Sequence, residues 1–185
     1  MPCWISNKSP NCTHCHAAST GLANSVLPDV RAAHAADLKI RVDEINTISC
    51  GQAPQVGKSF ATALWALQTL FAFARTGVDG VNLHTYVGSP YALFRFHHRT
   101  GAWTTRVYPE YYGMLMFAHA APPGARLLKA AGAERDGVHT WATRGPHRLV
   151  RVTLINDGAR SHAVSIRLRY GASVATVERL TAPRR

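Results

Sequence analysis

Residues 59–84 read SFATALWALQTLFAFARTGVDGVNLH, an apolar helical pattern that is followed by a glycine turn and a short strand-like stretch. Ser59 belongs to the residue types that cap helices, and Gly77 is the type that most often follows a helix end. The pattern therefore predicts a helix from Ser59 through Arg75 and a strand over residues 78–84. Its large apolar side chains are predicted to lie in the core: Phe60, Leu64, Trp65, Leu67, Phe71 and Phe73.

The chain before this helix predicts a matching strand. Residues 38–43 are strand-like, a loop is predicted over residues 45–57, and apolar positions at helical spacing predict a helix over residues 22–36. A strand, a loop, a helix and a second strand form the repeat of a parallel sheet or barrel. The sequence therefore predicts an α/β unit, in which side chains at the carboxyl ends of strands occupy the functional position.

Two acids, Asp43 and Glu44, stand side by side where the first predicted strand ends. Because neighbouring residues of a regular strand face opposite ways, only one of them is expected to address a pocket at that end. The other would face the helix layer, where a buried acid needs an arginine or a backbone N–H as a partner. A glutamate at this position fits either a structural ion pair or a catalytic role.

After residue 84 the pattern changes. Residues 91–96 and 103–108 flank HHRTGA and predict a hairpin, and residues 109–119 predict a short helix that begins at a proline. Turn signals beyond residue 124 separate five predicted strands, at 125–131, 138–143, 148–155, 163–170 and 174–180.

These patterns divide the chain into three parts. We predict an irregular leader over residues 1–21, an α/β unit over residues 22–121, and an antiparallel β unit over residues 122–185. No internal repeat is evident.

The chain carries a formal charge of +11 at pH 7, which favours acidic partners such as nucleic acid, acidic polysaccharide or an anionic membrane surface. The basic residues are scattered, which favours a solvated arginine-rich surface over a dedicated nucleic-acid face. No stretch has the apolar length of a signal peptide or a membrane span. We therefore predict no nucleic-acid partner and no membrane span, and the oligomeric state stays open.

The leader contains CTHCH at residues 12–16, which fits the pattern of covalent haem attachment. A zinc site built from Cys3, Cys12, Cys15 and His14 or His16 is an alternative. A c-type cytochrome usually surrounds its haem with short helices, whereas this chain continues as α/β and then β. We interpret the motif as an accidental pattern in a loose leader and expect no cofactor and no metal.

Three blocks together resemble one enzyme family. They are RVDEINTISCG at 41–51, SFATALWALQTLFAFARTGVDGVNLHTYVGSPY at 59–91 and YPEYYGMLMFAHAA at 108–121. In residues and spacing they are similar to glycoside hydrolase family 79, the β-glucuronidase and heparanase family, and the resemblance covers residues 22–183. The chain departs from the usual glycine and two aspartates of that family at Gln52, Lys58 and Gln68.

The resemblance implies the C-terminal part of a (β/α)₈ barrel, about strands seven and eight, followed by part of a β-sandwich domain. It also implies the site: Glu44 takes the position of the nucleophile of a retaining glycosidase. Tyr91, with Ser89 in the same GSPY loop, would hold the substrate carboxylate, and Asn82 and His84 would line the pocket. The implied substrate is a glucuronide, an acidic carbohydrate that suits the positive charge of the chain.

A retaining mechanism needs a second, protonated carboxyl about 5 Å from the nucleophile. Glu110 is the other glutamate near the predicted strand ends, but its place in a first helical turn fits stabilisation by the helix dipole better than an acid/base role. On the resemblance, strands one to six and the acid/base lie outside these 185 residues, so we expect the chain alone to be inactive in turnover. The parent is expected to be secreted or periplasmic, and the alternative is a non-catalytic remnant or acidic-glycan-binding module.

Overall fold

A computed structural model describes residues 15–48, 54–132, 134–135, 137–168 and 174–182 of the chain. In this part of the chain, helices combine with three small β-sheets, which confirms the predicted mixture of helices and strands. The elements in chain order are α1 (Cys15–Ser25), α2 (Leu27–Ala35), β1 (Arg41–Ile45), α3 (Pro54–Gly57), α4 (Phe60–Thr76), β2 (Gly80–Leu83), β3 (Phe94–Arg99), β4 (Ala102–Val107), α5 (Pro109–Ala120), β5 (Arg126–Leu128), β6 (Glu134–Arg135), β7 (Val138–Arg144), a 3-10 turn (Pro146–Arg148) and β8 (Val150–Asn156). None of the described helices is long and apolar enough to cross a membrane.

Helix α4 forms where the sequence predicts it. Ser59 precedes it in an extended conformation, and Gly77 ends it with a φ of 92°, a left-handed value that glycine adopts without strain. Most of its 17 residues are buried. A helix that is apolar on most of its circumference lies inside the core rather than on the surface.

Two apolar clusters pack against α4. In the first, Trp65 and Phe73 contact Ala23 of α1 and Ile45 of β1. In the second, Leu67 and Phe71 contact three residues of later elements, namely Ala120, Trp141 and Ile155. The predicted core positions Trp65, Leu67, Phe71 and Phe73 are confirmed as buried, whereas Phe60 and Leu64 are partly buried. Helix α4 thereby joins the parallel strands to the antiparallel sheet.

The contact between α4 and β7 is partly polar. Gln68 is 1% exposed, and its side-chain oxygen accepts a hydrogen bond from Nε1 of Trp141 at 2.9 Å. The rings of Phe71 and Trp141 stack at a centroid distance of 5.1 Å and an angle of 7°. A buried indole N–H needs an acceptor, so Gln68 stabilises this packing.

Strands β1 and β2 run parallel and are connected through α4, which confirms the predicted repeat. Ile45, predicted as a loop residue, is the last residue of β1. The predicted hairpin is β3–β4, whose turn residues Thr100 and Gly101 both have positive φ, as a tight two-residue turn requires. The predicted helix that begins at Pro109 is α5.

The single helix predicted over residues 22–36 is wrong, because two helices occupy this region. Helix α1 ends at Ser25 and α2 begins at Leu27, with Pro28 in its first turn. Proline lacks an N–H and its ring clashes with the preceding turn, so it starts a helix more readily than it continues one.

The irregular leader predicted over residues 1–21 is also wrong from Cys15 onward, where α1 begins. The start of α1 is stabilised by packing that periodicity does not reveal: buried Ser19 Oγ lies 2.7 Å from Thr69 Oγ1 of α4. The haem and zinc alternatives rest on Cys3, Cys12 and His14, which lie outside the described residues, and on the undescribed side chains of Cys15 and His16.

The antiparallel sheet is built around β7. This strand pairs with β8 along its whole length and with the short strands β5 and β6 near its two ends. The strands predicted over residues 163–170 and 174–180 are wrong in the described stretches 161–168 and 174–182, which contain no strand. Val164, Ile166 and Leu168 alternate as in a strand, but they are exposed because no neighbouring strand pairs with them. The division at residue 121 and the sandwich stay predictions.

Gly113→Ala should destabilise the contact between α5 and α4. A Cβ at Gly113 would overlap the backbone carbonyl of Ala63, which cannot give way without moving a helix. Helix propensity alone favours alanine by about 1 kcal/mol, so a net loss in the free energy of unfolding reports the overlap. We expect a net loss of about 1–3 kcal/mol in urea denaturation.

The matched control is Ala118→Gly, at an exposed position of the same helix. This variant should lose about 1 kcal/mol in the free energy of unfolding, which is the difference in helix propensity between alanine and glycine. If Gly113→Ala were as stable as the wild type or more stable, the close approach of the two helices would be contradicted.

Candidate functional site

Asp43 and Glu44 lie in a bulge at the carboxyl end of β1. Val42 pairs with Val81 and Ile45 pairs with Leu83, so two residues of β1 stand opposite one residue of β2. Val42 and Ile45 both pack against the first cluster, while both acids are exposed. The prediction that one acid is buried beneath the helix layer is therefore wrong, because the bulge interrupts the regular alternation of the strand.

Glu44 faces a histidine from the neighbouring strand end. Its Oε1 lies 3.3 Å from Nδ1 of His84. The backbone N–H of His84 donates to the carbonyl of Ile45 at 2.9 Å, which extends the parallel ladder and fixes the approach of the two side chains. The Glu44 side chain is 70% exposed, and a pair this exposed adds little to stability. The carboxylate is oriented and remains open to a ligand.

Two tyrosines from the loop after β2 surround this pair. The ring of His84 lies 5.8 Å from Tyr86 and 5.7 Å from Tyr91, and the two tyrosines meet edge to face at 5.9 Å. Partial burial, then Tyr86 and the charge of Glu44, raise the pKa of Tyr91. The phenol therefore keeps its proton and is a hydrogen-bond donor near Glu44. We call Glu44, His84, Tyr86 and Tyr91 the strand-end cluster.

The other predicted site residues lie nearby with different surroundings. Ser89 is 3% exposed in the loop that carries Tyr86 and Tyr91, and its hydroxyl has no hydrogen-bond partner among the described residues. Asn82 is exposed, and its Oδ1 accepts a hydrogen bond from Arg41 at 2.9 Å. The structure therefore brings Glu44, His84 and Tyr91 together and engages Asn82 with Arg41. Tyr86 was missed, and its only signal was an aromatic residue two positions after the predicted strand end at residue 84.

A buried set of polar groups connects α5 to the strand ends. The side-chain amide of Asn46 donates to the carbonyl of His84, and its Oδ1 accepts a hydrogen bond from the hydroxyl of Thr47 at 2.9 Å. Thr47 Oγ1 also lies 3.5 Å from Oε2 of Glu110. The hydroxyl of Thr47 has one proton, which it donates either to Asn46 or, over the longer distance, to Glu110.

Glu110 keeps its proton at neutral pH. It is 1% exposed, and burial raises its pKa to about 8 while the contact with Thr47 lowers it. The expected role as a charged acid at the helix dipole is therefore wrong. The dipole is worth about 0.3–1 kcal/mol, too little to offset a desolvation that shifts the pKa by several units. The sequence placed Glu110 in a first turn correctly but carried no signal of its burial.

The chain matches no model of a known protein family and no curated protein sequence. The geometry of the strand-end cluster and the motifs of the sequence therefore carry the functional inference.

Glu110→Gln should remove a pH dependence of stability. The carboxyl holds its proton more tightly in the folded chain, with a pKa of about 8, than at its ordinary value of 4.5. The contribution of the Glu110 carboxyl to the free energy of unfolding is therefore complete below pH 4.5 and is lost as the pH rises to about 8. The free energy of unfolding should fall by up to about 1.4 kcal/mol per pH unit across this window.

Glutamine keeps the shape and stays neutral, so the difference between wild type and Glu110→Gln, measured by urea denaturation from pH 5 to pH 9, should carry this slope. Glu178→Gln, which removes an exposed carboxylate, is the control and should show no comparable difference. Parallel curves for wild type and Glu110→Gln would contradict a neutral Glu110.

Proposed function

We propose that the chain carries the nucleophile half of a retaining β-glucuronidase-like glycoside hydrolase, with Glu44 as the nucleophile. The observation that carries this proposal is the strand-end cluster, in which an exposed carboxylate at the end of a parallel strand lies 3.3 Å from His84. Reactive groups of parallel barrels occupy this end of the strands. In the same proposal, β1 and β2 are strands seven and eight of a (β/α)₈ barrel, and the antiparallel sheet is part of a sandwich domain.

Each member of the site has a role in this reaction. His84 orients the carboxylate of Glu44 toward the open end of the strands. Tyr91 donates a hydrogen bond to the carboxylate of a uronic acid, whereas the buried hydroxyl of Ser89 is closed to a substrate. The positive charge of the chain favours an acidic sugar over a neutral one.

The first chemical step needs only the nucleophile when the leaving group is good. An oxygen of Glu44 bonds to the anomeric carbon, and the bond from that carbon to the leaving oxygen breaks with its electron pair. The product is a glycosyl ester on Glu44, which water later hydrolyses.

A poor leaving group needs an acid about 5 Å from the nucleophile. Glu110 is a neutral carboxyl at pH 7, but at 1% exposure it is closed to a substrate. In this proposal the described residues supply the nucleophile and one uronate donor, Tyr91, without an accessible acid. Because the nucleophile is present without an accessible acid, the proposal is testable with substrates that differ only in their leaving group.

Mixing the chain with 2,4-dinitrophenyl β-glucuronide should release a burst that approaches one dinitrophenolate per chain, because this phenolate leaves without protonation. A 4-methoxyphenyl glucuronide, whose leaving group needs an acid, should give no burst. The release is followed by stopped-flow absorbance.

Glu44→Gln should lose the burst, and Asp43→Asn, the matched neighbour in the same bulge, should keep it. Tyr91→Phe should weaken binding of the glucuronide more than binding of the corresponding glucoside. A wild-type chain without a burst, or a burst that survives in Glu44→Gln, would contradict the assignment of the nucleophile.

A further inference from the structure

The strand-end cluster is supported from inside the fold through the backbone of His84. The N–H of His84 donates to the carbonyl of Ile45 at 2.9 Å, and its carbonyl accepts a hydrogen bond from the side-chain amide of Asn46. The ring of the same histidine places Nδ1 3.3 Å from Oε1 of Glu44. The groups that fix this stretch of backbone therefore also fix the approach of His84 to the carboxylate.

The side-chain amide of Asn46 is itself oriented by Thr47. Its Oδ1 accepts two hydrogen bonds from this residue, one from the backbone N–H at 2.5 Å and one from the hydroxyl at 2.9 Å. A carbonyl oxygen has two lone pairs, so both donors can be accommodated at once. With its oxygen held in this way, the amide directs its nitrogen at the carbonyl of His84.

Glu110 competes with Asn46 for the hydroxyl proton of Thr47. Its Oε2 lies 3.5 Å from Thr47 Oγ1, and the two residues are 1% and 4% exposed. A neutral carboxyl leaves that proton on Asn46 and has a proton of its own to donate to the hydroxyl oxygen. A carboxylate only accepts, and hydrogen bonds to a charged acceptor are the stronger ones, so ionisation draws the proton away from Asn46.

The charged side chains of the surrounding elements are engaged elsewhere. Lys58 and Arg106 both lie over the ring of Tyr108. Arg75, the single charged residue of α4, contacts a tryptophan of β7, and β8 packs against the other end of α5. Within the described part of the chain, the pKa of Glu110 is raised by burial and lowered by the threonine contact alone.

We infer that Glu110 is a positioning residue of the strand-end cluster, which it orders when neutral and loosens when ionised. It acts through Thr47 and Asn46 and is closed to a substrate. The consequence for a reaction at Glu44 rests on the proposed function, whereas the chain of contacts does not.

The expected consequence is a reaction that is faster below about pH 8 than above it. The pKa of Glu110 is raised to about 8, so the carboxyl is neutral at pH 7 and ionises as the pH rises further. Attack on the sugar needs the carboxylate of Glu44 in a narrow range of positions, so a loosened cluster reacts more slowly. Loss of one neutral hydrogen bond corresponds to a roughly fivefold change.

The first test compares the pH profile of the dinitrophenolate burst in the wild type and in Glu110→Gln. Glutamine stays neutral, and the titrations of Glu44 and His84 are common to both chains. The ratio of the wild-type burst rate constant to that of the variant therefore isolates Glu110, and it should fall roughly fivefold between pH 6 and pH 9.5. The burst amplitude counts folded chains, so a role confined to stability would lower the amplitude and leave the ratio of rate constants unchanged.

Two variants of Thr47 test the path of the effect. Thr47→Val keeps the shape without the hydroxyl, so its burst should be slow at both ends of the pH range. Thr47→Ser keeps the hydroxyl and should retain the wild-type pH dependence. Glu178→Gln, the exposed control, should also retain it.

The second test needs no reaction. In the nuclear magnetic resonance spectrum of the isotope-labelled chain, the side-chain amide signal of Asn46 should shift with an apparent pKa of about 8 in the wild type. The same signal should not shift in this pH range in Glu110→Gln.

An Asn46 signal that does not titrate in the wild type would overturn the inference. A burst whose rate-constant ratio is independent of pH would also overturn it and would leave the proposed function standing. An Asn46 signal that titrates in a chain without a burst would remove the proposed function and leave Glu110 as the residue that orders the cluster.

Discussion

Burial of α4 is the constraint on which the rest of the structure depends. Trp65 and Phe73 pack this helix on α1 and β1, and Leu67 and Phe71 pack it on α5 and the antiparallel sheet. Because α4 connects β1 to β2 while remaining buried, the two strands lie parallel and their carboxyl ends meet. Glu44 and His84, far apart in the chain, thereby come within 3.3 Å of each other.

The elements that the sequence predicts well are those with local signals. Ser59 and Gly77 mark the ends of α4, Thr100 and Gly101 form the hairpin turn, and Pro109 starts α5. The failures depend on distant partners. Residues 163–168 have the alternation of a strand, but a strand forms only where another strand supplies its hydrogen bonds.

Predictions about the candidate site also succeed where the signal is local and fail where distant contacts decide. A carboxylate at a strand end, together with the resemblance to glycoside hydrolase family 79, selects Glu44, His84 and Tyr91, which lie together in the fold. The bulge at Asp43 is visible only in the pairing of β1 with β2. Nothing in the acidic dipeptide itself predicts it. Burial of Glu110 is likewise a tertiary fact, and it outweighs the helix dipole that local position suggests.

In the proposed reaction Glu44 forms the bond to the sugar, and Asp43, its neighbour in the bulge, has no role in bond formation. The most direct test is reaction of the chain with 2-deoxy-2-fluoro-β-glucuronyl fluoride, followed by peptide mapping with fragment-ion mass spectrometry. We predict a single glycosyl ester, located on Glu44. An ester on Asp43, or a chain that stays unlabelled under conditions that saturate a known retaining β-glucuronidase, would contradict it.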